Sequence, residues 1–240
     1  MFKRVIIKLS GEALAGNNDY KKFDDKVIDR ISTQIINCMK AGTQVALVVG
    51  GGNFWRGRDA KPGMDRVKAD QIGMMATVMN ALYLTEAFRE KGVEAVIMTP
   101  VIIGVVTEQF NKKKALDYMR QGVVVIFACG TGHPFFSTDT ITAIRGAELE
   151  ANAILYAKNV DGVYDSDPRD NMTARKMEKI TYRDIMRNDL KVIDLAACSI
   201  SEEQKLLSII FGLDEPDGIE LAASGKDEDI YKIGTKVTVE

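Results

Sequence analysis

Three charged side chains stand beside glycine-rich turns: Lys8 in VIIKLSG, Arg56 in VVGGGNFWRGR and Asp139 in GTGHPFFSTDT. That company suits phosphate chemistry. Glycine lets backbone N–H groups approach an anion closely, and a helix that starts just after the turn adds its positive end. Arg56 and Arg58 offer planar guanidinium forks that match phosphate oxygens in pairs. Lys8 sits near the end of an otherwise apolar run, next to Ser10 and Gly11, so it reads either as a side chain reaching solvent or as a point charge for a phosphate. Asp139 also has two readings. It is an acid at a helix N-terminus, or a carboxylate against a magnesium ion that bridges phosphates. Around it, the segment from Gly130 to Gly146 adds backbone donors, Phe135 and Phe136, and the hydroxyls of Thr131, Ser137, Thr138 and Thr140.

Familiar templates fail. No GxxxxGK[ST] occurs, and Trp55 and Phe135 stand where the third glycine of GxGxxG would fall, which excludes a Walker A loop and a dinucleotide fingerprint. His133 is the only histidine and lies between Gly132 and Pro134 with no serine elbow in sight, so it reads as a loop residue facing solvent or ligand. DGVYDSDPRD, residues 161–170, has Arg169 and Asp170 where a calcium loop needs a ligand and a glycine. There Asp167 before Pro168 reads as a turn, and Tyr164 as a packing or a base-stacking aromatic. Cys38, Cys129 and Cys198 are odd in number and widely spaced, which indicates neither a disulfide framework nor a zinc site.

Strands and helices must hold these loops. Short apolar runs at 5–10, 45–50, 94–99, 123–128, 153–157 and 208–213 alternate with helical patterns, which predicts an α/β chain on a mostly parallel sheet. Helices are predicted over 25–41, closed by Gly42, and over 67–91, closed by Gly92. The second would span ~37 Å at 1.5 Å per residue, so its Met74, Met75, Met79 and Leu82 read either as core or as a subunit interface. The glycine-rich loops follow strands, and ligands of open α/β sheets bind outside the strands' carboxyl ends. With 32 basic and 34 acidic residues in 240, the chain lacks the basic surplus of a nucleic-acid binder. No segment reaches the ~18 apolar residues of a membrane span, and a soluble, cytoplasmic protein without a leader is expected.

Taken in order, KLSGEAL, VVGGGNFWRG, the D-x-x-GM-x-ATVMN helix, GTGxPFF-[ST]-TD and VDGVY-x-x-DP resemble the bacterial uridylate kinases of the amino acid kinase superfamily; IDLAA at 193–197 extends the likeness. The resemblance implies a three-layer αβα sandwich, formed as a single domain over 1–240, with UMP bound mainly by the N-terminal part and ATP by the C-terminal part. It implies ATP with Mg²⁺ as donor, UMP as acceptor, a role in pyrimidine biosynthesis, UTP as feedback inhibitor and a homohexamer. Residue by residue, it gives Lys8, Ser10, Gly11, Gly52, Arg56, Tyr164 and Asp167 to ATP. UMP receives Gly51, Asp70 and the run Thr131, Gly132, His133, Pro134, Phe135, Phe136, Ser137 and Thr138. Lys8, Arg56 and Asp139 are the catalytic set; the metal is carried mainly by ATP, with no protein ligand firmly assigned and Asp139 the one candidate. Asp194 matches a further family aspartate.

The pattern departs in places. GNNDYK at 16–21 replaces a GTEGFG-like stretch, and Thr85, Arg89, Val96 and Val123 occupy positions aligned with the family's arginines and histidine, so activation by GTP is not carried over. Lys158 stands where the family usually has a small polar residue near adenine. The acidic segment 214–235 matches mainly at Gly234 and Thr235. Two other functions fit the fold: a nucleotide sensor without turnover, for which Lys8, Arg56 and Asp139 together are superfluous, and a kinase for a different acceptor, against which GTGxPFF-[ST]-TD argues.

Overall fold

The apolar runs form a sheet buried on both faces, which is why they read as continuous and not alternating. A computed structural model describes residues 1–16, 21–57, 60–166, 171 and 173–239. The N-terminal half contains β1 (Arg4–Leu9), α1 (Gly11–Leu14), α2 (Asp25–Lys40), β2 (Gln44–Val49), α3 (Arg66–Glu90), β3 (Ala95–Thr99), β4 (Glu108–Gln109), α4 (Lys112–Arg120) and β5 (Val124–Phe127). There follow α5 (Thr138–Glu148), β6 (Ala153–Lys158), β7 (Val163–Tyr164), β8 (Lys176–Met177), β9 (Lys179–Thr181), α6 (Tyr182–Arg187), α7 (Leu195–Glu203), β10 (Ser208–Gly212), α8 (Gly218–Ser224), α9 (Asp227–Ile233) and β11 (Gly234–Thr238).

The predicted strands and the two predicted helices lie where expected, to within a residue or two at most ends. The main sheet runs β4-β3-β5-β2-β1-β6-β10-β11-β9, and β7 pairs with β8 in a separate hairpin. Its pairs are parallel except β10 with β11. Side chains alternate across each strand. Val5, Ile7 and Leu9 therefore pack with α2, α3, α8 and α9, while Ile6 packs with α4 and α5 on the opposite face. On that opposite face, Ile154 and Tyr156 of β6 meet α5, α6 and α7. The layers are helix, sheet, helix.

Two consequences bear on function. Lys8, an even position of β1, shares the α5 face with Ile6. On one side of β1 the sheet extends through β2, β5, β3 and β4, and after β5 the chain crosses to β6 on the other side of β1. Such a reversal opens a crevice at the strands' carboxyl ends, and β1 and β6 border it.

Helix α3 has its 25 residues capped by Asp65, whose carboxylate accepts from Lys68 N. Its methionine stripe divides. Met74 packs against the core, whereas Met75, Met79 and Leu82 stay exposed. Among the described residues no helix is long and apolar enough to cross a membrane.

Candidate functional site: two clefts and a lysine–aspartate centre

At the crevice, Lys8 Nζ lies 3.0 Å from Asp139 Oδ1 and both side chains are largely buried. Alternation on β1 aims Lys8 at α5, and Asp139 occupies that helix's first turn. Asp139 does not cap the helix; Ser137 does, its Oγ accepting from Asp139 N at 2.9 Å. The carboxylate is thus left for cations. Its second oxygen accepts from Lys158 Nζ at 2.8 Å, and Lys158 also donates to the carbonyl of Val192. Burial alone would raise the Asp139 carboxyl, but the ammonium groups of Lys8 and Lys158 outweigh it and hold it below the ordinary carboxylate range. Burial depresses the Lys158 ammonium; Asp139 pulls it upward and Lys8 pushes it further down.

Asp194 supports this centre from α7. Its Oδ1 caps that helix through Ala197 N at 2.7 Å, and its Oδ2 accepts from the Ser137 hydroxyl and from Thr140 Oγ1 at 2.9 Å. One aspartate therefore fixes the start of α5, and with it Asp139.

The first cleft, about 140 Å³, opens between the loop after β2, α3 and the loop after β5. Gly51, Asp70, Thr131, His133, Phe136 and Thr138 line it together with Trp55 and Thr77. Close approach explains two glycines. A Cβ on Gly51 would lie 2.8 Å from Gly73 O, and one on Gly11 would lie 2.6 Å from Gly52 N. Asn53 and Asn80 exchange amide hydrogen bonds at 2.8 and 2.9 Å, and Asn80 also donates to Gly50 O, tying the GGGN turn to α3.

The loop after β5 is strained and held. Cys129 and Phe135 adopt φ of 64° and 73°, a left-handed conformation that costs a non-glycine residue on the order of 1–3 kcal/mol. Helix α3 holds both positions: Cys129 N donates to Thr77 Oγ1 at 2.7 Å and Phe135 N to Asp70 Oδ2 at 2.9 Å. Asp70 also accepts from Arg66 Nε at 2.9 Å. Within the loop, His133 N donates to Thr131 Oγ1, Gly132 N to Cys129 O, and the Phe135 ring is exposed. Pro134 lies between, with no polar role.

The second cleft, about 450 Å³, opens beyond β6 and is walled by Val160, Val163, Tyr164, Leu190 and Val192. Tyr164 donates its hydroxyl to Asp161 Oδ1 at 2.8 Å, and Lys176 donates to Asp161 Oδ2 at 3.2 Å. Burial would raise the Asp161 carboxyl, but these two donors lower it further. Thr235 anchors the wall from behind, accepting from Val163 N at 2.8 Å. That contact gives the Gly234–Thr235 match a structural role.

Of the residues singled out in the sequence, Lys8, Ser10, Gly11, Gly51, Gly52 and Asp139 converge on the crevice, with Asp70 and the 131–138 loop around the first cleft and Tyr164 at the second. Ser10 precedes α1 and makes no side-chain cap. Arg56 pairs with Glu12, against which Gly52 also packs. Arg58 and Asp167 lie outside the described residues. Sequence reading missed Glu12, Thr77 and the pairing of Lys158 with Asp139. The signal for the last was present: like Lys8, Lys158 is a lysine at the carboxyl-terminal end of an apolar run.

Residues 3–212 match the amino acid kinase family, and the chain belongs to that family. Within it, three solved structures to which the chain is similar carry a narrower name. A UMP kinase from Bacillus anthracis shares 36% identity at a TM-score of 0.93, over 100% of this chain and 97% of that one. A UMP kinase from Ureaplasma parvum shares 35% identity at 0.89, over 99% of each chain. A uridylate kinase from Archaeoglobus fulgidus shares 26% identity at 0.72, over 99% of this chain and 100% of that one.

Proposed function

We propose that this protein transfers the γ-phosphoryl group of ATP to UMP, giving UDP and ADP. The observation that carries the reading is the buried Lys8–Asp139 pair, its aspartate next in the chain to Thr138 of the first cleft and tied through Lys158 to the Val192 carbonyl of the second. UMP occupies the first cleft and the adenosine part of ATP the second, so their phosphates meet at Lys8. The bond from the γ-phosphorus to the bridging oxygen breaks, and its electron pair stays with ADP. The new bond forms from a UMP phosphate oxygen, which is already anionic at pH 7 and needs no base. What remains for the protein is alignment and charge neutralisation.

Lys8 neutralises the phosphoryl group in transit, and Asp139 aims it. Ser10, Gly11 and Gly52 offer backbone donors on the ATP side. Arg56 reaches the triphosphate by exchanging Glu12 for a phosphate oxygen. Asp70 holds the acceptor loop in its strained shape, and Thr131, His133, Phe136 and Thr138 face UMP. Among the described residues no group of three His, Cys, Asp or Glu side chains could cage a metal, and both oxygens of Asp139 face ammonium groups. Each Asp139 oxygen keeps a lone pair beside its ammonium partner, so Asp139 is the carboxylate that would meet a Mg²⁺ ion carried mainly by the triphosphate, and that ion would supply charge neutralisation on the phosphate oxygens.

The proposal extends to context. The chain is a single domain with the UMP side mainly in its N-terminal part, and the continuous sheet supports that. A homohexamer is supported by the exposed Ile72, Met75, Met79 and Leu82 on α3. A role in pyrimidine biosynthesis in the cytoplasm, with feedback by UTP, is part of the same proposal and rests on the resemblance to the uridylate kinases. The test is an ADP-release assay with Mg-ATP and UMP, CMP, dUMP or no acceptor. Turnover chiefly with UMP is expected; UMP binding without turnover would leave a sensor.

A further inference from the structure

Asp139 is bracketed by two lysines, and the reaction as described uses one. Lys158 closes β6 on the same face as Ile154 and Tyr156, toward α5 and α7. Its ammonium donates to Asp139 Oδ2 at 2.8 Å and to the Val192 carbonyl, and its side chain is 16% exposed. Val192 and the two residues after Lys158, Asn159 and Val160, line the second cleft. The lysine therefore stands between the cleft and the centre. An ammonium carries three donors, and these acceptors engage two. One lysine suffices to neutralise Asp139. The next carboxylate, Asp194, already accepts from Ser137, Thr140 and Ala197 N.

We propose that Lys158 is a second phosphate-contacting lysine, which holds the β-phosphate of the donor and stabilises the charge that gathers on the departing ADP. Asp139 and the Val192 carbonyl hold it in place, and Val192 makes its position depend on the wall of the donor cleft. The inference rests on the kinase reading. As the bond between the γ-phosphorus and the bridging oxygen breaks, the electron pair moves onto the β-phosphate oxygen, and a fixed ammonium there stabilises it without having to reorganise. No proton moves. Lys8, on the other oxygen of Asp139, is left to the group in transit.

The experiment compares Lys158→Met with the unaltered full chain in turnover of Mg-ATP and UMP, and in binding of ADP and of AMP. Loss of one preorganised donor predicts a kcat lower by about 10²-fold and KM for UMP within about twofold. ADP affinity falls by about tenfold and AMP affinity stays, because only ADP has a β-phosphate. Turnover near that of the unaltered chain would overturn the proposal. So would an equal loss of ADP and AMP affinity, which would mark Lys158 as a support of the cleft wall. Should Lys158→Met not fold, Lys158→Gln keeps a donor for Val192 without the charge and is read the same way. If the unaltered chain fails to turn over UMP, the kinase reading falls, while ADP against AMP still decides whether Lys158 meets the β-phosphate.

Discussion

The two clefts hold their shape by different means. The first is built from backbone: glycines packed too closely for a Cβ, two non-glycine residues in left-handed conformations, and α3 hydrogen-bonding to each. The second is built from side chains, with Val160, Val163, Tyr164, Leu190 and Val192 around an opening about three times larger by volume, roughly 450 against 140 Å³. Strain of this kind persists only where neighbours over-determine it. The first cleft, the proposed acceptor side, is therefore arranged in advance and should tolerate little change. The second, the proposed donor side, rests on apolar contact and should degrade gradually. Between them the lysine–aspartate centre belongs to neither.

Substitutions can break or sharpen that contrast. Lys8→Ala removes the charge at the centre between the clefts, and kcat should fall by about 10² to 10³, with either KM far less affected. Steady-state kinetics with each substrate varied would show it, and turnover close to that of the unaltered chain would remove Lys8 from the chemistry. Gly51→Val places a Cβ 2.8 Å from Gly73 O and 2.9 Å from Ala76 Cβ. The turn must shift, so KM for UMP should rise by about tenfold or more while KM for ATP holds, since misplacement of even ~1 Å at a site is costly. An equal rise in both would dissolve the distinction between a rigid and a compliant side. Tyr164→Ala should have the smallest effect, raising KM for ATP by about three- to tenfold with kcat nearly unchanged, the scale of losing one stacking aromatic. A drop in kcat instead would place Tyr164 in the transfer and not at the cleft.

Much of this was legible in the sequence. The six strand runs and the helices over 25–41 and 67–91 follow from apolar spacing and closing glycines, which are local signals. Lys8, Asp139 and the glycine loops stood out because their types are unusual at strand ends. The C-terminal elements were harder. β7, β8 and β9 are two or three residues long, too short for any period to register. The antiparallel return of β11 depends on a partner strand, which no local pattern names.

The readings left open were decided by neighbours distant in the chain. Asp139 is free of the capping role because Ser137 takes it, and Ser137 is held by Asp194, 57 positions away. Asp70 reads as a ligand contact in sequence, yet in the fold it also anchors the amide of Phe135, 65 positions on. Lys158 appeared to be a neighbour of adenine until β6 laid it beside β1 and against α5. The sequence by itself determined which stretches are strands, which turns can approach a phosphate and which charges are available, because backbone propensity and hydrophobic period are properties of neighbouring residues. Only the tertiary structure decided which charge faces which, because a buried carboxylate's partners are whatever cations the sheet order brings within about 3 Å, where burial makes that pairing matter.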